Sequence, residues 1–195
     1  MIKPSPLSVA AQHRLLWHYV AIFAAAIGLI GSTSGWAATY YVDSSAGNDG
    51  NDGRSAAAPW RSLQRVRDTP FQPGDTILLA AGSVWREPLV ITRSGRNNAP
   101  ISVRVAGVGP RPRIEAGGVA DYGIAIFNAE FVAISGLEVT NDATPVKPRY
   151  GVLVSAEDSG VKRGIRITDM YVHDVRGTND RKDNGGIVFR ALGPK

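Results

Sequence analysis

The sequence predicts an all-β chain built as a solenoid, short strands stacked coil upon coil, with one short helix near its N-terminal end. Three observations predict it. Short apolar runs alternate with Gly, Asn and Asp, and within them apolar residues recur with period two, the period of a strand. The run Gly123-Ile124-Ala125-Ile126 returns as Gly151-Val152-Leu153-Val154 and again as Gly186-Ile187-Val188-Phe189. A second unit, residues 132–141, aligns with residues 165–174 at a constant offset of 33, apolar on apolar at 132/165, 134/167, 137/170 and 139/172. A strand-and-turn repeat of that length cannot bury its apolar face alone, so stacking has to supply the core. Ile124, Val152 and Ile187 then form one interior row, and Ile126, Val154 and Phe189 another. Alternate side chains point outward.

Taken in chain order, residues 1–37 read as an export signal. Lys3, His13 and Arg14 precede an apolar stretch from Leu15 to Ile30, and Gly35-Trp36-Ala37 offers small residues for cleavage after Ala37. The stretch is short for a membrane span. Residues 38–195 are then an exported domain, periplasmic or secreted, with no membrane attachment after cleavage. The chain carries 22 Lys+Arg and 17 Asp+Glu for a net charge of +5, but the basic residues are scattered and form no run. That argues against a nucleic-acid footprint. With no cysteine in 195 residues, a disulfide scaffold, a thiolate zinc site and thiol catalysis are excluded.

The loop at 48–53, Asn-Asp-Gly-Asn-Asp-Gly, gathers oxygen ligands but lacks the twelfth-position Glu of an EF-hand. Asx turns account for every residue type in it. Next comes the one helix signal, residues 60–68. It follows Pro59, spaces Trp60, Leu63 and Val66 helically, and is stopped by Pro70 and Pro73-Gly74. Strands follow at 76–79, 101–105, 123–127 and 132–134, and through the repeats beyond.

Several segments carry a resemblance. Tyr40-Tyr41-Val42-Asp43, the Gly47–Gly53 loop, Pro59-Trp60-Arg61-Ser62-Leu63-Gln64, Pro73-Gly74-Asp75-Thr76-Ile77, Gly82, Glu87 and Asn98-Ala99-Pro100-Ile101 occur in that order. The segment 39–118 resembles the N-terminal portion of secreted right-handed parallel β-helix proteins of the pectate-lyase-like superfamily. Polysaccharide lyases of the pectate lyase and chondroitinase B/alginate lyase types belong to it. The resemblance implies a right-handed parallel β-helix whose open end is capped by the helix at 60–68. It also implies further coils beyond Lys195 and catalytic residues that can lie in those later coils. The full-length protein is expected to be a monomer.

Within the chain, the densest polar cluster runs from residue 171 to 186. His173, the only histidine after Ala37, is expected to face outward above Thr140, as a general acid or base. Lys182 and Arg190 are the other candidate bases. Asp180, Asp183 and Asn184 offer carboxylate and amide oxygens to calcium. Arg149 and Tyr150 are the candidate substrate-binding residues, a cation for a uronate carboxylate and a ring for a sugar face. The leading expectation is a lyase cleaving an acidic polysaccharide by β-elimination. Two alternatives stand beside it. One is a glycoside hydrolase or polymer epimerase on the same fold, with Asp174 and Asp183 as the hydrolase carboxylates. The other is a non-catalytic carbohydrate-binding solenoid.

Overall fold

The computed structural model describes residues 37–178 and 184–193. Its chain winds through three parallel sheets in rotation. Sheet A orders β1 (Thr39–Val42), β2 (Thr76–Ala80), β5 (Ile101–Ala106), β8 (Val132–Ser135) and β11 (Arg166–Thr168). Sheet B orders β3 (Val84–Trp85), β6 (Arg113–Glu115), β9 (Glu138–Asn141) and β12 (Tyr171–Val175). Sheet C orders β4 (Leu89–Ile91), β7 (Tyr122–Phe127), β10 (Tyr150–Glu157) and β13 (Gly185–Leu192). Each strand hydrogen-bonds in parallel to its counterpart one coil away, which is a parallel β-helix.

The repeats in the sequence are the registers of these sheets. Ile134 lies opposite Ile167, and Val152 opposite both Ile124 and Ile187. Val139 and Val172 meet likewise in sheet B. Ile124, Ile126, Ile134, Val139 and Val152 are 0–1 % exposed, so the interior is a dry stack of branched side chains. In the last coil Ile187 and Phe189 are exposed at 45 % and 62 %.

The glycines near the starts of β7 and β10, Gly123 and Gly151, have a packing reason. A Cβ on Gly123 would sit 2.5 Å from Val139 Cγ1 and 3.0 Å from the Gly151 carbonyl oxygen. The valine of the next coil's sheet B strand leans into that space, so no side chain fits there.

Helix α1 (Leu63–Asp68) is shorter than the expected 60–68. Trp60 is instead held in a parallel bridge to Val42, stacked on Tyr40 and 2 % exposed. Asp49 Oδ1 accepts hydrogen bonds from the Arg61 and Ser62 amides, both at 2.9 Å, and Glu87 Oε1 accepts one from the Leu63 amide at 2.8 Å. Glu87 satisfies the first free amide of the helix and Asp49 fixes the two residues just before it, so the helix starts where these carboxylates reach. The 48–53 loop forms Asx turns, with Asn48 accepting from the Gly50 amide and Asp52 from the Arg54 amide. Among the described residues no helix is long and apolar enough to cross a membrane.

Candidate functional site

Outward side chains of sheet B form a charged ladder across coils. Arg113, Glu138 and Tyr171 share one register row. Arg113 pairs with Glu115 at 2.6 Å and reaches Glu138 at 3.6 Å, while Arg86 pairs with Glu115 at 3.2 Å. In β12 the register slips between Val172 and Val175, so His173 and Asp174 together face Thr140 across a β-bulge. Asp174 takes the left-handed conformation this needs, with φ 48°. The bulge aims His173 sideways. Its Nε2 lies 3.0 Å from Glu138 Oε1, its Nδ1 lies 2.9 Å from Asp174 Oδ2, and its ring stacks on exposed Tyr171 at 4.3 Å. A cleft of about 310 Å³ beside it is lined by Arg113, Glu115, Thr140, Asp142, His173 and Asp174.

With a carboxylate at each ring nitrogen, the imidazole is best satisfied when both nitrogens carry protons. The hydrogen bond to Glu138 raises the His173 pKa above its ordinary 6.5; partial burial opposes it, and the bond and charge of Asp174 add to the rise. A raised folded-state pKa contributes stability that is complete below pH 6.5 and is lost as pH climbs through the higher folded value. The melting temperature should therefore fall as pH is raised from 6 to 9, and His173→Gln should flatten that part of the profile. Thermal melts of both proteins across the range check it; parallel profiles would refute the coupling.

The other candidates lie elsewhere. Arg149 is 1 % exposed, and its guanidinium donates to the carbonyls of Ala143 (2.9 Å), Pro145 (3.0 Å) and Arg176 (3.2 Å). Tyr150 begins β10 and is 5 % exposed. Arg190, on β13, donates to Ser155 Oγ at 3.3 Å, Glu157 Oε1 at 3.1 Å and Tyr150 Oη at 3.5 Å. Arg190 and Tyr150 thus share sheet C, whereas His173 belongs to sheet B. Asp180, Lys182 and Asp183 lie outside the described residues, and Asn184 immediately precedes β13. The calcium set and the Asp174–Asp183 pair are therefore not assembled by the described residues. Among those residues no group of three or more His, Asp and Glu is placed to hold a metal.

Glu138 and Glu157, which contact His173 and Arg190, were not singled out by the sequence reading. The offset of 33 places Glu138 over Tyr171, and a period-two count outward from Leu153 reaches Ser155 and Glu157. Both signals were available; the bulge that turns His173 toward Glu138 was not.

No protein-family model matches the chain. It is 28% identical over 218 residues to a lacto-N-biosidase of Bifidobacterium longum subsp. longum, a match covering 84% of this chain and 14% of that protein. Two crystal structures of the GH136 lacto-N-biosidase from Eubacterium ramulus superpose on it with TM-scores of 0.75 and 0.76. Identity is 29% and 26%, over 81% and 93% of this chain and 31% and 33% of theirs. These relatives are glycosidases. The expectation of a polysaccharide lyase is thereby corrected: the relatives hydrolyse a glycosidic bond rather than eliminate across one. The resemblance to pectate-lyase-like proteins holds for the β-helix and not for the chemistry, because a solenoid that aligns side chains along a groove serves either reaction. This chain spans a third or less of the length of the relatives it matches.

Proposed function

We propose that the chain is part of an exported glycoside hydrolase that acts on a lacto-N-bioside-type oligosaccharide. The observation that carries this reading is the agreement with lacto-N-biosidases in sequence and in fold, over more than four-fifths of the chain. The substrate is then a neutral sugar in place of the acidic polymer. Two features support the arrangement. The segment 1–37 has the pattern of a cleaved export signal. Helix α1 packs on β4, the first strand of sheet C, and buries Leu63 and Val66 in the core, as a cap of the first coil would.

The test incubates the full-length protein with an aryl lacto-N-bioside and analyses the products. Release of the aryl alcohol with a saturated disaccharide is the expected result. An unsaturated sugar absorbing in the ultraviolet, or no cleavage at any concentration, would overturn the reading. N-terminal sequencing of the exported protein should begin at residue 38; a start upstream of residue 30 would remove the export signal from the proposal.

A further inference from the structure

Sheet C carries the strand with the longest flanking loops in the last described coils, β10. The turn from sheet A to sheet B is two residues long in the last two coils, Gly136-Leu137 and Asp169-Met170. The connections on either side of sheet C, residues 142–149 and 158–165, are much longer. Long loops on a regular scaffold are where binding residues collect, and here two of them flank β10. Over the first part of these strands the outward row Val90, Ala125 and Leu153 is itself buried. Polar exposure returns at their C-terminal ends, where Arg190 is 26% and Glu157 46% exposed.

There the polar atoms are fixed in place. Glu157 Oε1 accepts from both Ser155 Oγ, at 2.8 Å, and Arg190, at 3.1 Å. The Glu157 amide donates to Asn128 Oδ1 at 2.7 Å, and the Asn128 amide donates to the Ser155 carbonyl at 2.9 Å. Asn128, with φ 52°, thus locks the end of β10 to the end of β7. Among the described residues Glu157 Oε2 carries no hydrogen bond, and the Arg190 fork keeps donors beyond the three it uses. Phe127 lies in the same register row as Ser155 and Arg190, an apolar ring beside the polar pair.

We infer that Glu157, Arg190 and Ser155, with Phe127 beside them, form a subsite for a neutral sugar ring bearing vicinal hydroxyls. This rests on the carbohydrate reading above and adds the residues that would hold the ring. One hydroxyl donates to Glu157 Oε2, its neighbour accepts from the Arg190 fork, and the C–H face of the ring packs on Phe127. The ion pair has no net charge, and the open acceptor is a carboxylate, so a uronate would be repelled where a neutral sugar is satisfied. Ser155 holds the carboxylate and Asn128 the Glu157 backbone in position beforehand, which lowers the entropy lost on binding.

Calorimetric titration of the full-length protein with free lacto-N-biose, and separately with digalacturonate, tests this. The disaccharide should bind and digalacturonate should not. Glu157→Gln and Arg190→Lys should each weaken binding at least tenfold, while Arg104→Ala on β5 of sheet A should leave it unchanged. Hydrogen exchange of the unmodified protein supplies a reading that needs no variant. Lacto-N-biose should protect residues 153–157 and 187–192 and leave 138–141 and 171–175 unaffected. Absence of disaccharide binding, protection confined to sheet B, or unaltered affinity in both variants would each overturn the subsite. Binding without hydrolysis would overturn the reaction and keep the subsite; hydrolysis with unaltered affinity in the variants would do the reverse.

Discussion

Gly151→Ala should cost about 3 kcal/mol of stability, the upper end of the usual overpacking range. A Cβ there would lie 2.4 Å from Val172 Cγ1, 2.6 Å from the Gly186 carbonyl oxygen and 3.2 Å from Val175 Cγ2. The oxygen belongs to the backbone of β13 in the next coil, between Gly185 and Ile187, which pair with β10. It cannot step aside as the end of a flexible side chain can. The two valines come from β12 and fill the corner between sheets B and C. For a domain of this size the loss corresponds to roughly 6–12 °C in melting temperature. The same substitution at Gly186 is an internal control. Its nearest neighbour would be Val172 Cγ1 at 3.7 Å, an ordinary contact. Gly186→Ala should be near neutral, since the less flexible unfolded chain offsets what little is lost. Thermal melts of the two variants beside the parent protein decide it. Equal melting temperatures for Gly151→Ala and Gly186→Ala would show that coil spacing is looser than the stacked valines imply.

Arg149→Ala should be as damaging, for an electrostatic reason. The guanidinium is a buried cross-brace that gives hydrogen bonds to Ala143, Pro145 and Arg176 and so ties the 142–149 connection to the strand that follows and to the next coil. Removing it takes the donor from three part-buried carbonyl oxygens, each at a cost of about 1–3 kcal/mol. The expected total is on the order of 4 kcal/mol, because the chain relaxes and the terms do not add fully. Arg149→Lys should recover only part of this, since a single ammonium cannot span the carbonyls that the planar fork reaches. Denaturant unfolding of the three proteins gives the values, and limited proteolysis should open residues 142–148 first in the alanine variant. A loss below about 1 kcal/mol would mean that water takes over the carbonyls at no cost, which a surface role would predict. Because the side chain is spent on this brace, its positive charge faces the protein's own backbone.

The solenoid is legible in one dimension. Its core rows are set by short-range pattern, and pattern is visible in one dimension: Ile124, Val152 and Ile187 recur after the same glycine, and Ile134 and Ile167 lie 33 residues apart. Stacking in register follows from period-two burial, which admits no slip of one residue without turning the apolar row outward. The Asx turns at Asn48 and Asp52 were readable for a similar reason, because each of those side chains bonds an amide two residues on. Tertiary structure decided the start of α1, the partners of His173 and the fate of Arg149. Each depends on groups far apart in the chain: Asp49 and Glu87 on the helix amides, Glu138 on an imidazole 35 residues away, carbonyls of two coils on one guanidinium. The register that brings such groups together is legible from the repeat. The final aim of each side chain depends on a bulge of one residue or a loop of eight, and neither leaves a periodic trace. Composition alone likewise does not separate a hydrolase from a lyase, since each needs only a few polar atoms at set distances and the core that spaces them is the same.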